Sequence, residues 1–450
     1  MKTIYGILSK LISWDDIESK YARKFKKTGN PAKNVRIALG SLIIQQTLNC
    51  SDRKLVNQVS ENPYLQFFIG LKKFQERAPF SDSILVKFRK RFSPEFLAEI
   101  NERIIADDNC ESGKDDDDSH NNSDSGSNKG TVIMDATCVP SDISYPQDLS
   151  LLNKCRESLE QTIGRLAKFS KNKKPRTYKK IARKEFLAVS KSRRKTSKTL
   201  RKVIRKQLGY IQRDLRYIDK MNTNTNILTD KEQQKLQTIM TIYTQQKEML
   251  DNKNHSIKDR IVNLYQPYVR PIVRGKAGAK TEFDAKVEIS VVDGFSQIEI
   301  LSWDAYNECD SLKKIVEKFK ERTGHYPERV LADKIYRNRN NLNYCKEKHI
   351  RLSGPNLGRP RKDNHYDKKI EYTDLCDRNE VEGKFGEGKR KYGLNRILTK
   401  LQETSECVIN IAFIVSNLNK RLRSLIKVLF NFIFVVIFKE NYNCKKIRVC

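Results

Sequence analysis

Two short apolar runs, each closing on an aspartate, constrain the fold more than any other feature. They are Thr131-Val-Ile-Met-Asp135 and Glu328-Arg-Val-Leu-Ala-Asp333. An unbroken apolar run this short reads as a strand covered on both faces, here with an acid at its tip. Between the runs the hydrophobic period changes to two. Lys286–Val292 alternates, Asp293-Gly294 is a two-residue hairpin turn, and Gln297–Leu301 alternates again. Helical spacing covers 310–322 and stops at Thr323-Gly324; a further helix is expected near 337–348, a short strand at His349–Leu352, and a helix over 376–420, weakened around Gly383, Gly386, Gly388 and Gly393. A hairpin followed by alternating helices and strands predicts an α/β fold with a sheet of mixed direction.

A chain of 450 residues exceeds one core, so several domains are expected. Residues 1–106 mix helical periodicity with charge and read as a helical N-terminal domain. Residues 107–130 hold eight acids, including Asp115–Asp118, with Ser, Asn and Gly, and read as a disordered linker. Residues 131–424 form the α/β domain, with a helical insertion at about 151–283; within it, 151–260 look helical throughout. Residues 425–450 are an apolar, then basic, tail.

Charge narrows the partner. Lys plus Arg is 88 against 55 Asp plus Glu, a net charge of +33. The stretch Lys168–Lys206 alone has 18 Lys or Arg and a single acid, Glu185. Such an excess points to nucleic acid, bound with strong salt dependence as each neutralised phosphate releases a counterion. Candidate phosphate contacts are Lys173, Lys174, Arg176, Lys179, Lys180, Arg193, Arg194 and Lys195, extended by Arg270, Arg274 and Lys276, and by Arg359, Arg361 and Lys362. The ten cysteines form no Cys-x-x-Cys pair, which excludes a zinc ribbon and a disulfide scaffold, and no secretory leader follows Met1, so the cytoplasm is expected. The apolar run Leu425–Phe438 is short of the roughly 20 residues of a membrane span. No Gly-x₄-Gly-Lys-Ser/Thr loop implies ATP.

Three acids stand out as candidate chemistry. Asp135 and Asp333 end their strands, and Glu382 lies on the later helix with Arg378 four residues before it and Lys389 seven after, on one helical face. Hard carboxylate oxygens suit Mg²⁺. Three of them beside two cations suit a phosphodiester site in which two divalent ions sit about 3.5–4 Å apart.

These residues resemble the DDE transposases of bacterial insertion sequences. The resemblance rests on Val132-Ile-Met-Asp-Ala-Thr-Cys-Val-Pro140, Asp293-Gly294, Val330-Leu-Ala-Asp-Lys-Ile-Tyr-Arg-Asn338 and the stretch from Arg378 to Leu394. It implies a ribonuclease-H-like mixed-sheet catalytic domain with a long helical insertion after the first strand, preceded over residues 1–106 by an all-α transposase N-terminal domain for DNA binding or dimerisation. It implies that Asp135, Asp333 and Glu382 are catalytic and hold two Mg²⁺ ions, with Mn²⁺ as a substitute. The family's signature around the glutamate is Tyr-x₂-Arg-x₃-Glu-x₆-Lys; Arg378, Glu382 and Lys389 fit, and Leu375 stands where the Tyr is expected. The implied partners are double-stranded DNA, as terminal inverted repeats and as target, and a second copy of the chain, in a bacterial cytoplasm at the nucleoid. Two rival readings are a ribonuclease-H-like nuclease without strand transfer and a DNA-binding protein that has lost its chemistry.

Smaller signals complete the expectation. Val35–Thr47, a turn at Leu48-Asn-Cys-Ser51 and Asp52–Val59 resemble a helix-turn-helix. A helix around Asp82–Arg91 offers Lys87, Arg89, Lys90 and Arg91 to backbone phosphates. Trp303, His325 and His349 read as packing or surface residues, and Asp293 as a turn residue.

Overall fold

The computed structural model describes residues 3–23, 32–112, 128–169, 174–223, 227–273, 281–355, 357 and 368–446. Polar side chains start most of the N-terminal helices. Thr3 caps α1 (Ile4–Lys10), and α2 (Trp14–Ala22) follows. Asn34 caps α3 (Val35–Leu48), Ser51 caps α4 (Asp52–Glu61) and Asn62 caps α5 (Pro63–Phe68), each accepting backbone N–H groups that the helix start leaves unpaired. Asn49, left-handed at φ 45°, ends α3 and swings the chain into α4, so the helix, turn and helix expected over 35–59 are present. Next come α6 (Ile84–Arg91) and α7 (Pro94–Ser112). The expected acidic linker is thus helical over its first six residues, 107–112; its residues 113–127, Asp115–Asp118 among them, lie outside the described residues.

The remaining elements are β1 (Thr131–Pro140), α8 (Asp148–Phe169), α9 (Lys179–Ser190), α10 (Ser197–Thr223), α11 (Asp230–Asp251), β2 (Ile272–Val273), β3 (Thr281–Glu282), β4 (Asp284–Val292), β5 (Phe295–Ser302), α12 (Leu312–Thr323), β6 (Arg329–Leu331), α13 (Arg339–Glu347), β7 (Arg351–Leu352), α14 (Lys368–Lys391) and α15 (Gln402–Lys446). Short 3₁₀ turns cover Glu308–Asp310 and Lys334–Tyr336. The fold is mixed α/β, as the order of periods requires.

The chain divides into two compact units. The first holds Met1–Val139, Lys286–Leu301 and Tyr306–Cys450. Its sheet has the order β5-β4-β1-β6-β7. β1 runs parallel to β6 and β6 to β7, whereas β4 and β5 are joined by the tight turn Asp293-Gly294, both residues at positive φ, and so run antiparallel. One face of the sheet carries a core of Val132, Met134, Val330 and Leu352 packed on Leu312, Ile315, Val316 and Phe319 of α12. His325 packs edge-on against Phe319. α15 packs against α7, α3 and α6.

The second unit, Pro140–Ala285 with Ser302–Ala305, is built on α8 to α11 around Leu152, Leu159, Ile163, Ile211 and Ile239. Regular helix stops at Asp251, and no helix or strand covers 252–271, although helix was expected as far as residue 260. Trp303 is buried and meets Tyr268 edge-on at 4.6 Å, a packing role.

Two further expectations are corrected, and one pattern proves to mean something else. Asp135 lies mid-way along β1 and not at its tip, because the strand continues to Pro140. The alternation in β4 does not mark a wet face: Lys286, Glu288 and Ser290 on its polar side are buried like the apolar side. Finally, α14 runs unbroken through Gly383, Gly386 and Gly388, and a break at 392–401 separates it from α15. At that break Gly393 is required: its φ is +65°, and a Cβ there would stand 2.9 Å from Asn49 Oδ1. The apolar run Leu425–Phe438 falls within α15. Among the described residues, no helix is long and apolar enough to cross a membrane.

Candidate functional site

Strand pleat and helix docking bring the three expected acids to one place. Side chains two apart on a strand share a face, so Asp135 and Thr137 of β1 point the same way. Lys389 of α14 donates to Thr137 Oγ1 at 2.9 Å, which lays the helix beside that face. Asp333 follows β6 and caps the 3₁₀ turn, its Oδ1 accepting the Lys334 N–H at 2.7 Å. Arg378 of α14 bonds Asp333 Oδ1 at 3.1 Å and stands 3.7 Å from Glu382 Oε1. The guanidinium therefore bridges the acid after β6 and the acid on α14. Asp333 and Glu382 keep more than half of their side-chain surface in solvent, whereas Arg378 is 23% exposed.

Asp135 is the more enclosed acid. Burial pushes its carboxyl up to about 6; the Ala136 N–H and Arg378 pull it down, while Glu308 and Asp333 push it further up. Desolvation of the charged form is the main cause, with negative potential from Glu308 and Asp333 added to it, and a bound divalent cation would relieve both. The donor set fits hard cations such as Mg²⁺. As placed here the three carboxylates do not all lie within 4.8 Å of one another, and Arg378 reaches both Asp333 and Glu382.

α14 is held in place by buried charge. Asp374, 4% exposed, accepts from Arg351 Nη2 at 2.7 Å and Arg329 Nη1 at 3.3 Å, and Asp377 pairs with Arg329 at 2.8 Å. Arg329 and Arg351 sit opposite each other on β6 and β7, so the helix is pinned to the parallel edge of the sheet two turns before Glu382. Val381 and Phe385 complete the attachment as buried side chains. Leu375, at the position of the family's Tyr, is 55% exposed.

Two acids escaped the sequence reading. Glu288 of β4 is fully buried and accepts from three hydroxyls: Tyr336 at 2.8 Å, Tyr306 at 3.2 Å, and Ser311. Burial raises its pKa more than those donors lower it. Tyr336 closes the 3₁₀ turn that Asp333 opens, so Glu288 fixes the backbone carrying Asp333. Glu308 pairs with Lys286 at 2.8 Å and adds to the negative potential at Asp135.

The other expected contacts divide three ways. Lys173, Arg274, Lys276, Arg359, Arg361 and Lys362 lie outside the described residues. Lys174, Lys179, Lys180, Arg193, Arg194 and Lys195 are exposed in the second unit. Arg176 lies over the Tyr178 ring at 4.9 Å, and Arg270 turns back to the Pro267 carbonyl and Asp304, so neither is a bare surface cation.

Arg89 is a correction of another kind. It was expected to hold phosphate from α6, but it is 5% exposed and forks onto both Asp52 oxygens and Gln45 Oε1. The fork ties α6 to the first turn of α4 and the last turn of α3. Burial raises the Asp52 carboxyl, and the Arg89 hydrogen bond and charge more than offset this, leaving it below its ordinary 3.8. Arg89→Ala should therefore cost the fold about 3 kcal/mol, read as a drop in the urea midpoint. The wild-type advantage should be complete above the ordinary Asp value and fade as pH falls through the depressed one; an advantage that grows in acid would contradict it.

The matches to known proteins cover both ends of the first unit. A family model described as "Transposase DDE domain" matches residues 330–419, and one described as "Transposase domain (DUF772)" matches residues 1–91. The first takes in Asp333, Arg378, Glu382 and Lys389; the second takes in α1 to α6. Both matches are to transposase models, and together they support a DDE transposase of an insertion sequence. Asp135 and the helical unit lie outside both matched stretches. The chain is also similar to a curated protein of Rhizobium meliloti named "Uncharacterized protein ORF8 in nfe locus", 32% identical over 93 residues, which is 21% of this chain and 45% of that protein. The chain thus spans about half the length of that relative. No solved structure matches. A transposase DDE domain suggests polynucleotidyl-transferase or nuclease chemistry, and the family generally uses divalent metal ions.

Proposed function

We propose that this transposase cuts DNA at the ends of its element and joins the freed 3′-hydroxyl to target DNA. The observation that supports it best is the convergence of Asp135, Asp333 and Glu382 from three separate elements around one guanidinium, Arg378. Asp135, Asp333 and Glu382 hold two Mg²⁺ ions in this reading. Bound there, the ions supply an activated water or 3′-hydroxyl and steady the leaving oxygen, so no protein nucleophile is needed. Arg378 is placed to hold a phosphate oxygen, since charge-assisted bonds from a guanidinium match phosphate geometry. Lys389 ties α14, which carries Glu382, to β1, which carries Asp135, through Thr137. Joining two ends takes two such sites, so the working form is a dimer on DNA that binds terminal repeats.

The test is a labelled, pre-cut duplex end with a free 3′-hydroxyl, incubated with supercoiled plasmid and Mg²⁺. Label joined covalently to plasmid is the expected product. Plasmid nicked without joined label would reduce the activity to that of a nuclease.

A further inference from the structure

We infer that one face of α10 in the second unit is a duplex-DNA docking surface, a grip on the phosphate backbone separate from the three acids. The inference rests on the transposase reading for its choice of DNA as partner. Lys198, Lys202, Arg205, Gly209, Gln212 and Arg216 recur at steps of four, three, four, three and four residues. At about 100° per residue they form a straight stripe, roughly 27 Å long. All six are exposed. The opposite face, with Val203, Ile204, Gln207, Leu208, Ile211, Asp214 and Ile218, is buried against the unit's core.

Charge on the stripe is left unmatched, and charge beside it is not. Lys206, off the stripe, pairs with Glu185, the one acid of the surrounding basic stretch, and Tyr210 donates to the same carboxylate. Arg213, also off the stripe, is held by Asp214 at 2.7 Å and the Thr177 carbonyl at 2.6 Å. By contrast, among the described residues Lys198, Lys202, Arg205 and Arg216 have neither an ion pair nor a hydrogen bond from their side chains. The sequence supplies no acid from Phe186 to Arg213. Cations aligned in one row, with the nearby acid used elsewhere, complement the closely spaced charges of a duplex backbone.

Gly209 is the second observation. Glycine is among the poorest residues for a helix interior, yet Gly209 sits mid-way along a 27-residue helix. Its φ is not positive, and, its own helix backbone apart, no atom of the described residues lies within 4 Å of where its Cβ would be. Neither backbone shape nor packing among the described residues asks for glycine there. A smooth spot at the centre of a cationic row fits the close approach of a rigid partner, which a side chain would hold away.

The experiment uses the full chain and a fluorescent duplex of arbitrary sequence, with the dissociation constant followed against salt. Lys202→Gln with Arg205→Gln is expected to lower the log–log salt slope by about 2, near 0.9 for each lost phosphate contact. A control pair on α11, Lys231→Gln with Lys247→Gln, is expected to leave the slope nearly unchanged. Gly209→Leu is expected to weaken binding at least fivefold, while Gly209→Ala raises the thermal midpoint and weakens binding less. An unchanged slope in the α10 pair, an equal loss in the α11 pair, or Gly209→Leu binding as well as wild type would each overturn the inference. Binding is read without cleavage, so a failure of the chemistry proposed above leaves this result interpretable. Failure here with cleavage intact would remove the α10 surface alone.

Discussion

Replacing Asp333 by Asn is expected to lower DNA cleavage by at least about a thousandfold while duplex affinity stays within about twofold. The substitution keeps size and the hydrogen bond to the Lys334 N–H, and removes only the charge. Charge is what the proposed chemistry uses. Losing one carboxylate of three forfeits several kcal/mol of transition-state stabilisation, and each 1.36 kcal/mol is a factor of ten in rate. Arg378 loses its Asp333 partner but keeps Glu382, so the fold is not left with an isolated buried charge. Affinity hardly changes because one surface acid matters little beside a net charge of +33. Cleavage within tenfold of wild type would remove Asp333 from the chemistry.

The second large effect lies under the site. Glu288→Leu is expected to destabilise the protein by about 3–5 kcal/mol, because Tyr306, Ser311 and Tyr336 lose their shared acceptor in a fully buried place. Glu288→Gln keeps an acceptor and the shape, so it should cost no more than about 2 kcal/mol. The consequence for activity distinguishes a positioning role from a purely structural one. If Glu288 fixes the turn that carries Asp333, Glu288→Gln should lower the cleavage rate at saturating DNA with DNA affinity unchanged, at a temperature where the variant is fully folded. Equal rates for folded Glu288→Gln and wild type would make the residue structural alone.

The strand framework was legible in the residues because continuous apolar runs have few alternatives. Val132–Met134 and Val330–Leu331 are buried on both faces wherever they pair, and an acid near the end of such a run has to look outward. The hairpin was legible because Asp293-Gly294 suits a turn with two positive φ values. The burial of β4 was not legible, for a physical reason. Lys286, Glu288 and Ser290 alternate with apolar residues, a pattern that ordinarily marks a strand wet on one side. Here the polar face is covered, each group finds a partner, and only the tertiary fold reveals those partners. Asp374 was hidden in the same way, since one acid on a charged helix says nothing of the two arginines that reach it from β6 and β7. Arg89 could have been found. Leu85, Phe88, Arg89 and Phe92 share one helical face at i, i+3, i+4 and i+7, and all four are buried, so the cation stands on the apolar side of α6. The run of basic neighbours masked that spacing.

Two kinds of signal thus met at the candidate site. Residue type and spacing drew attention to Asp135, Asp333, Arg378, Glu382 and Lys389 together. Geometry added what holds them: Thr137 beneath Lys389, Glu288 behind the Asp333 turn, and the Asp374 anchor of α14.

The central claim is metal-dependent strand cleavage by these acids at the ends of the element. The most direct measurement is cleavage of a duplex carrying the inverted repeats that flank the coding sequence, in Mg²⁺ and in EDTA, by wild type and by Glu382→Gln. The account predicts a nick at the repeat boundary in Mg²⁺, none in EDTA, and none from the variant while it still binds the duplex. A nick that persists in EDTA, or at an undiminished rate in Glu382→Gln, would contradict it.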